Sequence, residues 1–188
     1  MTERKVPVGL LTSLGVFVVC AALFVGSFAL LSGFRRDAAD KALCETALDV
    51  GRGDELAAIS MPEDTPETVE TPLDLWICRK NGQNLSYVAV YPVDAGSCGV
   101  FHVAVGVDIL SETVTGVACV PMTLAAQNGT DVLWEQGSLF DPFVGKNARE
   151  IAVLTAPEVG RQAFEAVLDR TLDALEAAAW LKESEEHL

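Results

Sequence analysis

The side chains that can do chemistry are few and widely spaced. Thr155-Ala156-Pro157-Glu158 sets a hydroxyl three residues ahead of a carboxylate, directly before a run of helical periodicity. Thr155 can cap a helix there, Pro157 suits its first turn, and Glu158 takes the capping-box position. Cys44, Cys78, Cys98 and Cys119 allow three pairings in an oxidising compartment, with buried or surface thiols as the alternative. No Cys-x-x-Cys occurs, so the spacing does not support a zinc, haem or iron-sulfur centre. His102 and His187 lack a partner at a diagnostic spacing, so no catalytic triad is read, and no metal or catalytic residue is assigned. No Walker, dinucleotide-binding or Gly-x-Ser-x-Gly pattern is present. Trp76, Trp134 and Trp180 read as core or rim residues, and Glu183, Glu185 and Glu186 as a solvated end.

The elements that must position these groups come from a chain with two opposed characters. Half of the 188 residues are hydrophobic, yet the formal charge is −14. Apolar and charged residues are therefore segregated along the sequence. Only Glu3, Arg4 and Lys5 precede the longest apolar run, leaving 11 basic and 26 acidic residues after it, a net of −15. Such a surface repels a phosphate backbone and argues against a nucleic-acid partner. The length suits one domain with an appendage.

From Val6 to Phe34 there is no charged residue. About 20 apolar residues cross a bilayer as a helix, so residues 6–34 are read as a transmembrane anchor behind a short N-terminus, residues 1–5. The alternative, a cleaved secretory signal, has an apolar core of only about 7 to 15 residues. Ser27-Phe28-Ala29 supplies small residues for cleavage, but the apolar run continues past them. Cys20 follows Val18-Val19, which does not suit a lipoprotein site. Arg4 and Lys5 on one side face Arg35, Arg36 and Lys41 on the other, so positive charge does not set the orientation.

Beyond the anchor, Arg35 to Val50 continues as a helical stalk, and Ser60 to Pro72, with three prolines among four acids, reads as a linker. Residues 35–72 are thus expected to be stalk and linker, 73–182 the domain, and 183–188 a tail. Leu73–Lys80 and Leu85–Val93 flank Asn81-Gly82, a strong hairpin signal. Gly99–Ile109, with alternating Phe101, Val103, Val105 and Val107, and Thr113–Val120 form a second pair joined by Leu110-Ser111-Glu112. Pro121–Lys146 is irregular around Val132-Leu133-Trp134. Ala163, Phe164, Val167, Leu168, Leu172, Leu175 and Ala179 then mark one face of a long helix. The expected class is α+β: a transmembrane helix, then a small antiparallel sheet packed against a C-terminal helix.

The order of three segments carries a resemblance. Gly99-Val100-Phe101-His102-Val103-Ala104-Val105-Gly106-Val107-Asp108, then Val114-Thr115-Gly116-Val117, then Trp134 with Phe140-Asp141-Pro142-Phe143-Val144-Gly145-Lys146, resembles the FMN-binding domain family of the ion-translocating Rnf complex, in particular its G component. A related domain occurs in the C component of the sodium-pumping quinone reductase; the single N-terminal helix and the length are closer to the Rnf member. The resemblance implies a component of a membrane-bound, ion-translocating electron-transport complex in the bacterial inner membrane, with its domain outside the cytoplasm. Other membrane subunits are the implied partners, and a cytochrome is a partner for a non-redox docking alternative.

In that family FMN is joined through its phosphate to a threonine at the start of the final helix, where free N–H groups and the helix dipole favour an anion. Here the aligned residues are Thr155-Ala156-Pro157-Glu158, with Glu158 at the acceptor position. Glutamate has no hydroxyl to esterify, and Pro157 has no N–H to offer. A second departure is Pro121–Gln127, where the family has a His-Lys-Glu-Thr-Pro-Gly run. The expectation is a retained scaffold without covalent FMN. Thr155 and Trp134 are the remaining candidate flavin contacts, Trp134 by stacking. The alternative is a non-redox interaction or assembly module descended from a flavin-binding domain.

Overall fold

The computed structural model describes Leu23 and residues 37–120 and 139–186. The chain divides into two compact units, Met1–Asp40 and Lys41–Leu188. The expected transmembrane segment, residues 6–34, lies outside the described residues, Leu23 apart. Among the described residues no helix is long and apolar enough to cross a membrane.

The second unit is α+β. A helix over residues 37–51 (α1), of which 41–51 belong to this unit, leads into a five-stranded sheet. The strands are β1 (Glu55–Ala58), β2 (Asp74–Lys80), β3 (Gln83–Asp94), β4 (Val100–Asp108) and β5 (Val114–Val120), antiparallel and in chain order across the sheet. A four-residue helix (α2, Ala148–Ile151) and a 26-residue helix (α3, Arg161–Glu186) follow. The β2–β3 turn is the expected Asn81-Gly82, with φ of 53° and 77°, the mirror-image turn whose twist matches paired strands. At the β4–β5 turn the Asp108 carboxylate accepts hydrogen bonds from the Leu110 N–H (3.0 Å), the Ser111 N–H (2.7 Å) and the Ser111 hydroxyl (2.9 Å). Burial acts to raise its pKa, but these bonds outweigh it and hold the carboxyl below its ordinary value.

Alternation along the strands sorts side chains to two faces. Tyr87, Ala89, Tyr91 and Val93 of β3 and Phe101, Val103, Val105 and Val107 of β4 pack with Phe164, Val167, Ala174, Leu175, Ala178 and Leu181 of α3. Val88, Val90, Cys78 and Ala104 face the other way, against Ala47 and Val50 of α1. The sheet is therefore covered on both sides.

This corrects the expectation of a stalk. From residue 41 onward α1 is a layer of the domain, and β1, between the expected stalk and the expected linker, is an edge strand paired to β2. The four residues Glu-Leu-Ala-Ala of β1 favour helix by propensity, and pairing with Trp76–Arg79 overrides that preference. Residues 59–73 do form the irregular connection the prolines require.

The end of α1 sits unusually close to the sheet. Gly106 and Gly116 are cross-strand partners on β4 and β5. A Cβ on Gly106 would collide with Thr115 Oγ1 and the Val50 carbonyl oxygen, and one on Gly116 would lie 2.8 Å from Val50 Cα. The last helical carbonyls then meet buried hydroxyls: Thr115 donates to Val50 O (2.6 Å) and Ser86 to Gly51 O (2.8 Å). The chain leaves the helix through Arg52 at φ 59°, with Arg52 N–H on Asp49 O and Gly53 N–H on Leu48 O. That is the double-bonded C-terminal motif usually built on glycine, here with arginine in the left-handed position.

Gly106→Ala and Gly116→Ala are each expected to lose at least about 2 kcal/mol in urea unfolding, because backbone rather than a flexible side chain must move. Gly82→Ala, in open space at φ 77°, is expected to lose only about 1 kcal/mol. Equal losses at all three positions would refute the close-approach account.

Candidate functional site

Thr155 and Glu158 lie on the connection from α2 to α3. Asn147 caps α2: its side chain accepts from the N–H groups of Arg149 (3.1 Å) and Glu150 (3.2 Å), and the Asn147 N–H donates to Glu150 Oε2 (3.1 Å). Asn147-x-x-Glu150 is thus a complete capping box, carried by the same spacing as Thr155-x-x-Glu158 and missed by sequence reasoning in favour of that later pair. Ile151 is buried, a turn closed by Leu154 N–H on Ile151 O follows, and Leu154 and Ala156 pack on the core with Thr155 and Pro157 exposed.

The expected start of the long helix is corrected by five residues. Pro157 disfavours helical geometry at Ala156, and Gly160 at φ 75° cannot lie inside a right-handed helix. The first helical bond runs from Phe164 N–H to Gly160 O (2.9 Å), and α3 begins at Arg161. Thr155 is therefore not a cap, and Glu158 is not in a capping box. Both are exposed, and among the described residues neither side chain has a hydrogen-bond partner. Trp134 lies outside the described residues.

The resembling segments that are described do converge. β4 and β5 pair along their length, and the Phe140–Lys146 turn is bonded to the start of β5 by Gly145 N–H to Val114 O (2.8 Å) and Val114 N–H to Lys146 O (2.9 Å). Phe143 is buried, and its ring centroid lies 4.8 Å from that of Phe164 on the first turn of α3. Gly106 and Gly116 serve the approach of α1, and Gly145 takes φ 77° in the turn.

The residues at the α3 tip do not fit a phosphate-tethered flavin. Glu158, which the resemblance alone aligns with an acceptor, is an exposed carboxylate, the hydroxyl of Thr155 is six residues ahead of the helix, and Pro157 offers no N–H. At the tip itself, the Gln162 side-chain oxygen is occupied by the Ser97 hydroxyl and N–H.

An open cleft of about 560 Å³ lies elsewhere, between the β4–β5 turn, α2 and the middle of α3. Glu112, Asn147, Arg149, Leu172 and Glu176 line it, and neither Thr155 nor Glu158 does. Glu112 is also paired with Lys182 of α3. At 1.5 Å per residue, Leu172 to Ala179 lie roughly 17 to 27 Å along α3 from its start.

Cys78, Cys119 and His102 are held by packing. Cys44, Cys78 and Cys119 are free thiols, the first exposed and the other two buried. Burial pushes the Cys119 thiol up to about 12 and also raises that of Cys78. Burial lowers the pKa of His102, against the opposing pull of Asp74. Among the described residues no cluster of histidine, cysteine and acidic side chains could hold a metal ion.

No protein-family model and no curated protein matches this chain.

Asn147→Ala is expected to lower stability by about 1 kcal/mol, while Thr155→Val and Glu158→Gln shift it by less than about 0.5 kcal/mol, as read by thermal unfolding. With iodoacetamide at pH 8, peptide mass mapping is expected to find Cys44 alkylated in the folded protein and Cys78 and Cys119 only after denaturation.

Proposed function

We propose that this chain is a counterpart of the G component in a membrane-bound Rnf-type complex that couples electron transfer to ion translocation, and that it has lost covalent FMN. On this reading residues 6–34 anchor it in the bacterial inner membrane, with the domain extracytoplasmic and other membrane subunits of the complex as partners. The chain contributes no complete active site of its own.

The observation that carries this reading is the meeting of the resembling segments. Strands β4 and β5 and the Phe-Val-Gly-Lys turn, which are separate in sequence, form one continuous piece of structure beside the first turn of α3. The loss of the tether rests on Glu158, whose position and chemistry are both wrong for a phosphoester. A flavin relay in the complex would then run through another subunit, with this domain in a supporting role.

Glu158 also favours a second reading, a non-redox interaction or assembly module that kept the scaffold and docks an extracytoplasmic partner such as a cytochrome.

Purification from native membrane under mild detergent separates the two. The first reading expects co-migration with multi-span subunits and a ferredoxin-linked activity, and no flavin mass on the peptide covering Glu150 to Arg161. Isolation without such subunits sinks the first reading in favour of the second. A phosphate-linked flavin on that peptide would sink both.

A further inference from the structure

The connection from β1 to β2 crosses the α3 side of the domain with little to hold it. Its ends are fixed by backbone bonds, Ile59 N–H to Leu75 O (3.0 Å) and Leu73 N–H to Val90 O (2.8 Å). Between them are two isolated turns, closed by Thr65 N–H on Pro62 O and Val69 N–H on Pro66 O, with Val69 and Pro72 buried and Met61 partly buried against the core. Three prolines deny it any ladder or helix.

The remaining attachment is electrostatic. Tyr91, fully buried on β3, donates its hydroxyl to Glu70 O at 3.4 Å. Arg170 of α3 lies over the Tyr91 ring, 5.9 Å from its centroid. Its guanidinium contacts Asp173 at 2.8 Å and reaches Glu70 of the connection at 3.5 Å. Asp169 and Glu176 add negative charge from α3. One cation thus stands among four carboxylates, Glu70, Asp169, Asp173 and Glu176. Without it, Glu70 would face only like charge among the described residues at this contact, which would change from attraction to repulsion.

We propose that residues 60–72 form an electrostatic latch, a strap that opens and closes as a unit over Tyr91 and is held shut by Arg170. In the open form the two turns and Val69 lift away from the domain, while the sheet and α3 keep their packing, because the strap contributes no strand and little of the core. The open form presents the Tyr91 and Arg170 surface to solvent or to a partner. The latch concerns this domain alone and does not depend on the proposed function.

Hydrogen exchange of the full chain in detergent tests it, read at the Thr65 and Val69 amides against those of β3 and β4. Arg170→Gln is expected to speed strap exchange at least about fivefold with β3 and β4 unchanged. Adding Glu70→Gln to that variant removes the repulsion and is expected to restore slow exchange. In the unmodified protein, raising salt from about 0.05 to about 0.5 M is expected to speed the strap selectively, because the pair is partly exposed and screened. This arm stands even if the variants do not fold. A strap indifferent to both salt and Arg170→Gln, an increase shared equally by β3 and β4, or a double variant as fast as the single one would overturn the latch.

Discussion

The arrangement depends on how closely a helix end can approach a sheet. The last turn of α1 rests on Gly106 and Gly116, paired residues on adjacent strands, with the Val50 backbone where two Cβ atoms would otherwise be. Helix layers ordinarily stand off a sheet by the depth of their side chains; removing Cβ from both strands lets backbone meet backbone. The carbonyls brought so deep cannot reach water, and an unpaired buried carbonyl is costly. Thr115 and Ser86 resolve this by donating from the sheet to Val50 and Gly51. Small residues and buried hydroxyls are therefore one device, and either without the other would leave a clash or an orphaned acceptor.

Much of this is legible in the sequence, and the limits have physical causes. The Asn81-Gly82 turn and the alternation of Phe101, Val103, Val105 and Val107 identify the central strands, because turn geometry and a one-sided apolar face are local signals. The face of α3 is legible for the same reason. The second layer is not: residues 41–51 look like a stalk because their partners, Val88, Val90 and Ala104, are far along the chain. β1 escapes because four residues of helix-favouring composition carry no periodicity. At the candidate site, Thr155 and Glu158 satisfy a capping pattern that the chain does not use, since Pro157 and Gly160 delay the helix. Pattern alone cannot rank this box against the one at Asn147, where no proline intervenes.

Charge shows a similar division. The domain is strongly acidic, yet two of its cations stand where acids converge: Arg170 between Glu70 and Asp173, and Lys182 on Glu112. Asp173 is raised from its ordinary value by burial first, with Glu70 and Asp169 adding to the shift and Arg170 opposing it. The sign matters for how such a domain responds to acid. A carboxyl whose folded pKa is raised binds its proton more readily folded than unfolded, so it disfavours the fold at neutral pH and ceases to do so as pH falls through that range. Asp108, lowered by its turn, acts oppositely and loses its contribution on acidification.

The strands follow one another across the sheet in the order in which they are synthesised, and each can find its neighbour early. The two covering layers do not share this advantage. Helix α1 is made before the glycine pair it rests on, and α3, the 26-residue helix that shields Tyr91, Phe101, Val103 and Val105, is the last of the described elements. A nascent or truncated chain that stops short of it carries a sheet with one aromatic and β-branched face bare, the kind of surface that associates with its own copies. Synthesis of α3 is thus the step that closes this face of the sheet against aggregation.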